Sequence, residues 1–270
     1  MSDPLPEDVA AALSRAASRR LAAADLRFAT ETGSTNDDAL ALAEAGAADG
    51  TAVLAESQRA GRGRRGRTWF SPPGSGIYLS MVVRLGPAPI TLSLVTLAAG
   101  VATAEAVTAA TGLVVELKWP NDLVVGATWR KLGGLLCESA GGGRVHTVIV
   151  GVGINRGADA YPPELSDRAT SIEAELGRAV DRAPVVVECL VALDARMAQV
   201  RRGDDAGVLE AWRRLGRGGF GGAVRWHDPG GERRGVARDV DRDGALIVES
   251  GGRVERLVAG EVSWERRSRV

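Results

Sequence analysis

Twice the chain sets alternating glycines behind an apolar, strand-like run, and twice it withholds the helix that should follow. Thr51 to Ser57 reads as a strand, and Gly61-Arg62-Gly63-Arg64-Arg65-Gly66 then has the spacing of a dinucleotide-binding turn. Such a turn must open a helix whose N-terminal amides hold a pyrophosphate, and Pro72-Pro73 arrives instead. Val148 to Val150, followed by Gly151-Val152-Gly153-Ile154-Asn155, repeats the pattern, and Tyr161-Pro162-Pro163 again denies it the helix. A Rossmann-type parallel sheet is thereby excluded.

The remaining periodicities predict an α+β chain, a mixed β-sheet flanked by helices. Helices are expected over 8–24, from Ser34 or Thr35 as cap to Ala45, and over 92–110, 185–200 and 208–215. Strands are expected at 28–32, 51–57, 77–85, 113–118, 123–125, 132–138 and 145–151, the last two as a hairpin around Gly141 to Gly143. After Gly218 to Gly222 the character changes to short strands at 223–227, 232–240, 245–249, 253–258 and 261–264. We therefore place a boundary near residue 217, with a catalytic unit over 1–217 and a small all-β unit over 218–270.

Composition excludes several function classes. Lys+Arg and Asp+Glu both number 34 in 270 residues, so no global field advertises nucleic acid or an anionic membrane. The two cysteines, Cys137 and Cys189, and the two histidines, His146 and His227, have no metal-ligand or nucleophile-base spacing. No apolar run is expected to reach the ~20 residues of a membrane span, and the first 20 residues lack the order of a secretion signal, so a cytoplasmic protein is expected. The stretch before Gly33 is too short for a helix-turn-helix reader with its own core, so no DNA partner is expected. Composition does not fix an oligomeric state. Of the 34 basic residues only Lys118 and Lys131 are lysines, and both fall in one short segment. An ammonium is a compact, strongly hydrated point charge that Arg does not reproduce.

Chemistry concentrates in three segments. In the long loop from Gln58 to Gly76, glycines let backbone approach a ligand while Arg62, Arg64 and Arg67 offer forked donors for phosphate or carboxylate oxygens; a solvated basic turn is the plainer alternative. Leu117-Lys118-Trp119-Pro120-Asn121-Asp122 ends a strand on a cation, an indole, an amide and a carboxylate, a set suited to Mg²⁺ and triphosphate, although Pro-Asn-Asp also makes an ordinary turn. Lys131-Leu132-Gly133-Gly134 places a lysine at a strand mouth and two glycines where a ligand or a second backbone can come close.

Taken in order, Gly33-Ser34-Thr35-Asn36, the Gly-Arg-Gly-Arg-Arg-Gly-Arg-x-Trp-x-Ser-Pro loop, Lys118 to Asp122, Lys131 to Gly134 and Gly151 to Asn155 resemble the biotin protein ligase family, and Gly260-Glu261-Val262-Ser263 is similar to its C-terminal part. The resemblance implies a core similar to class II aminoacyl-tRNA synthetases plus a small Src-homology-3-like barrel. It also implies ATP and biotin as substrates, Mg²⁺, biotinyl-5'-AMP as intermediate, and the biotin carboxyl carrier domain of an acyl-CoA carboxylase as partner. By the same resemblance Ser34, Thr35, Asn36 and Gln58 would hold biotin, with Arg62, Gly63, Arg64, Lys131, Gly133 and Gly134 around it. Arg64, Arg67, Trp69, Asn121, Asp122, Lys131 and Asn155 would meet ATP, with Asp122 the candidate for the metal and Lys131, Arg64 and Asp122 the catalytic set. The chain departs from the family pattern at Arg156-Gly157, where a second Asn is common. A lipoate or octanoate ligase and a biotin-sensing regulator with little catalysis are the rival readings.

Overall fold

The computed structural model describes residues 2–16, 25–86, 90–126, 129–140, 146–216, 218–258, 260 and 262–265. Seven strands form one mixed sheet: β1 (Leu26–Ala29), β2 (Ala52–Ala55), β3 (Gly76–Arg84), β4 (Glu116–Lys118), β5 (Asp122–Val125), β6 (Arg130–Ser139) and β7 (Thr147–Asn155). Their order in space is β1-β2-β3-β7-β6-β5-β4, and β1 with β2 is the one parallel pair. The expected hairpin of β6 and β7 forms, with Gly134 opposite Gly153, while its Gly141 to Gly143 turn lies outside the described residues.

Helices cover both faces of the sheet. On one side α2 (Thr35–Glu44) buries Ala39 and Ala43 against Val53, Val82 and Ile149. On the other side α3 (Leu92–Thr111) and α5 (Arg182–Arg201) join the larger core with Leu54, Leu79, Val83, Val148 and Val150. Odd and even positions of β2, β3 and β7 thus bury opposite ways, which is why these strands read as unbroken apolar runs. Helix α3 is capped by Thr91, whose Oγ1 accepts from Leu94 N at 3.1 Å, and it stops at Gly112 in the left-handed region with φ of 80°.

Several sequence expectations are corrected. Helix α3 is long and apolar enough to cross a membrane by length and composition, but 67% of the relevant window is buried inside the molecule, as in a core helix. The first helix, α1, runs from Glu7 to Ala16, and the rest of the expected 8–24 span lies outside the described residues. Ser34 occupies the cap position of α2 with extended backbone, yet its side chain makes no capping bond. A short helix that no apolar period announces, α4 (Ile172–Leu176), precedes α5.

Beyond α6 (Asp205–Gly216), the strands β8 (Ala223–Asp228), β9 (Gly231–Val240), β10 (Leu246–Ser250), β11 (Arg253–Leu257) and β12 (Ser263–Trp264) form a five-stranded antiparallel sheet in the order β11-β10-β9-β8-β12. Its turn at 241–245 docks on the first unit. Trp119 Nε1 donates to Gly244 O at 3.0 Å and Thr91 Oγ1 to Asp243 O at 2.8 Å. Burying the Trp119 side chain, which is 2% exposed, contributes about 2–3 kcal/mol from area alone and holds the corner that begins at Lys118.

Candidate active site

The strand order sets glycine-ended β7 between β3 and β6, and a cavity of about 740 Å³ opens above it. That volume lies within the usual range for small-molecule sites. Its lining draws on segments far apart in sequence: 34–36, 58–70, 118–122, 131–136, 151–155, 160–169, 260 and 262–264. Of the residues singled out from sequence, Ser34, Thr35, Asn36, Gln58, Arg62, Gly63, Arg64, Arg67, Trp69, Asn121, Asp122, Lys131, Gly134 and Asn155 all line it. Both lysines of the chain, Lys118 and Lys131, do so as well.

Gly133 is the exception. A Cβ there would stand 2.6 Å from Gly153 O, so this glycine serves the close approach of two strands and not a ligand. Gly134 does face the cavity, and a Cβ on it would lie 3.3 Å from Lys131 Nζ.

One wall is neutral and hydrogen-bonded. Gln58 Oε1 accepts from Thr35 N at 2.8 Å and from Thr35 Oγ1 at 3.1 Å, and Gln58 Nε2 donates to Ser71 Oγ at 2.9 Å. Beneath them, Ser80 Oγ lies 2.8 Å from Thr35 Oγ1 and 2.7 Å from Asn36 Oδ1. Asn36 reaches across to Glu138, its Nδ2 donating to Oε2 at 2.7 Å. This contact needs Gly151, because a Cβ there would fall 2.1 Å from Asn36 Oδ1. Asn36 is thereby committed to the protein itself and orients the wall. Sequence reasoning overlooked Ser71, Ser80 and Glu138; Ser71 sat inside the Trp-x-Ser-Pro motif, while the other two carried no signal.

Another wall is cationic. Residues 61–69 form a tight hairpin, with Gly63 N donating to Arg67 O at 2.7 Å and Trp69 N to Gly61 O at 2.8 Å, and with Arg65 at its tip in the left-handed region. The hairpin aims its arginines in different directions. Arg62 Nη2 is held by Asp37 at 2.7 Å and Glu138 at 2.8 Å, whereas Arg64 Nη1 donates to Asn121 Oδ1 at 3.2 Å. Burial and then the neighbouring Arg65 charge pull the Arg64 guanidinium below its ordinary pKa, the signature of a partly desolvated cation that an anion would stabilise. Lys131 Nζ sits 2.5 Å from Asp122 Oδ1 and 5.5 Å from the Trp69 ring centroid.

Trp69 lies directly on Gly153, where a Cβ would come within 2.7 Å of the indole, and its buried Nε1 has no hydrogen-bond partner among the described residues. A ligand acceptor could satisfy it. Asn155 Nδ2 donates to Thr170 O at 2.9 Å and to Lys131 O at 3.5 Å, so both amide hydrogens point to backbone and Oδ1 is left to serve a ligand. Thiol chemistry has no place here, since burial pushes Cys137 and Cys189 up to about 12. Neutral acceptors and donors on one wall, cations and an indole on the other, suit a substrate that couples an uncharged polar head to an acyl phosphate carrying a base.

The model of the biotin/lipoate A/B protein ligase family matches residues 29–155, and that of the biotin protein ligase C-terminal domain matches 219–264. The chain is 39% identical over 248 residues to the biotin--[acetyl-CoA-carboxylase] ligase of Mycobacterium tuberculosis, spanning 88% of each. To the bifunctional ligase/repressor BirA of Bacillus spizizenii it is 33% identical over 232 residues, 85% of this chain and 70% of that one. The Aquifex aeolicus biotin protein ligase in complex with biotin and ATP superposes with a TM-score of 0.76 at 27% identity, covering 90% of this chain and 99% of that one. Fold and site therefore define an acyl-activating protein ligase. The chain belongs to the biotin protein ligase family.

Proposed function

We propose that this chain activates biotin with ATP as biotinyl-5'-AMP and transfers the biotinyl group to a lysine of the biotin carboxyl carrier domain of an acyl-CoA carboxylase. The observation that carries this reading is the joining, in one cavity, of the Thr35–Gln58 hydrogen-bonded wall with the Lys131–Asp122–Trp69 and Arg64–Asn121 groups. A buried ureido head needs paired donors and acceptors, which Ser34, Thr35 and Gln58 offer. In the first step a biotin carboxylate oxygen attacks the α-phosphorus and pyrophosphate leaves with the electrons of the broken P–O bond. Two anions approach each other, so preorganised cations are the main catalytic term, and Lys131 and Arg64 supply them.

In the second step the acceptor amine attacks the acyl carbon, AMP departs with the bonding pair, and the amine loses a proton. We assign Asp122 as the carboxylate that receives it. When bound, Mg²⁺ neutralises triphosphate charge. Asp122 can touch it together with phosphate oxygens, and among the described residues no group of three His, Cys, Asp or Glu side chains gathers to hold an ion alone. We assign catalysis to 1–217, with a core like that of class II aminoacyl-tRNA synthetases. We assign 218–270 to a small Src-homology-3-like barrel whose Val262 to Trp264 complete the cavity wall. We infer a cytoplasmic protein, since the reaction draws on ATP.

The test is pyrophosphate release that requires both ATP and biotin, followed by labelling of a carrier domain. Release with lipoate but not biotin would favour the related ligase, and biotin binding without release would favour a sensor. Arg64→Ala is expected to weaken binding of a non-hydrolysable biotinyl-adenylate analogue about tenfold or more while biotin affinity changes little, because the guanidinium meets a phosphate that free biotin lacks. Equal losses in calorimetry would contradict that placement. The 270-residue chain is also expected to show no operator-like retardation of DNA at physiological salt, its charge being balanced.

A further inference from the structure

Arg156 stands directly after Asn155, yet unlike Asn155 it does not line the cavity. Its guanidinium instead joins three pieces of chain. Nη1 donates to Glu173 Oε1 at 2.6 Å and to Val180 O at 3.0 Å, and Nη2 donates to Gly74 O. Its backbone adds to the same junction: Arg156 N and Gly157 N both donate to Ser75 O, at 3.0 and 2.8 Å, and Arg156 O accepts from Glu173 N at 2.9 Å. Glu173 Oε1 also accepts from Val180 N at 3.1 Å. Both side chains are about three-quarters buried, with 23% and 25% exposed.

Gly74 and Ser75 are the downstream end of the 58–76 loop, five and six residues beyond Trp69. The upstream end has anchors of its own, Arg59 N to Thr32 O and Ala60 N to Gly33 O, both at 2.9 Å. Gln58 is held directly at the upstream end and by Thr35, as well as by Ser71 Oγ at 2.9 Å, whereas Trp69 lies between the two ends and depends on both. We propose that Arg156 is a positioning residue for the nucleotide: by tying the downstream end of the loop to the end of β7 and to α4, it sets where Trp69 stands over Gly153 and beside Lys131. Only a planar fork reaches Glu173 and Val180 with one nitrogen and Gly74 with the other; an ammonium in that place loses part of the junction.

This rests on the reaction proposed above, and the experiment separates the two. Pyrophosphate release is followed for wild type, Arg156→Ala, Arg156→Lys and Glu173→Gln, while a non-hydrolysable ATP analogue and biotin are titrated separately by calorimetry. The expected result is a KM for ATP, and a Kd for the analogue, raised about tenfold or more in Arg156→Ala and by less in the other two, the scale of a sub-ångström displacement at a reacting site. KM and Kd for biotin should stay within about twofold. Should Arg156→Ala fail to fold, Arg156→Lys and Glu173→Gln carry the test. Parallel losses for ATP and biotin, or a lower melting temperature with unchanged ATP parameters, would overturn the proposal and leave Arg156 a structural residue. No pyrophosphate release from wild type would overturn the reaction, while the two titrations would still decide on Arg156.

Discussion

Lys131→Arg is expected to fold normally, keep most of its biotin affinity and lose adenylation by roughly 100-fold or more, the scale of removing one preorganised transition-state donor. The charge is retained, so the loss tests shape. Lys131 Nζ is bounded by Asp122 Oδ1 at 2.5 Å, by the Trp69 ring at 5.5 Å and by Gly134, whose absent Cβ would sit 3.3 Å away. A guanidinium is broader and flat, and it must displace one of these neighbours; about 1 Å of misplacement at the reacting atoms costs roughly 100-fold. The biotin contacts proposed at Thr35 and Gln58, which are bonded to each other, do not involve this ammonium. Single-turnover pyrophosphate release at saturating ATP and biotin, with a melting curve, is the measurement. Near wild-type turnover would show that the ammonium serves only its ion pair with Asp122.

Gly153→Ala is the second large effect expected. A methyl at this position would meet Trp69 Cε2 and Nε1 at 2.7 Å, so the indole must leave its seat on β7. A base stacked on an aromatic side chain contributes about 1–3 kcal/mol, so affinity for a biotinyl-adenylate analogue should fall by roughly 10- to 100-fold while biotin affinity is spared. A double-mutant cycle makes the test specific. In a Trp69→Ala background the added methyl meets no ring, and Gly153→Ala should then cost little. If it costs as much with the indole gone, the glycine serves the sheet and not the nucleotide.

Sequence and structure agree most closely where the signal is local. The Gly-Arg hairpin, the Lys118 to Asp122 corner, the Lys131 strand mouth and the glycines of β7 were legible because each is a short run whose residue types carry chemistry by themselves. Elements built on strong periods, such as α3, α5 and the β6–β7 hairpin, also appear within a few residues of where the apolar pattern puts them. Differences fell where a partner far along the chain decides: Ser34 stands at the cap position of α2 without a capping bond, and the Thr35 offered as the other cap is joined to Gln58, 23 residues away. Gly133 looks like a ligand contact, but Gly153 O explains it.

By itself, then, the sequence determined that no helix could follow either glycine turn, that the fold had to be a mixed sheet with helices, and which residues had the chemistry for an acyl phosphate. Tertiary structure alone decided that β7 lies between β3 and β6, which places Gly151 under Asn36 and Gly153 under Trp69. It alone brought residues 160–169 and the C-terminal Val262 to Trp264 to the same cavity, and it turned Arg156 away from that cavity to hold the loop. The physical reason is that propensity and periodicity act between chain neighbours, whereas strand order and side-chain register are settled by burying both faces of one sheet at once.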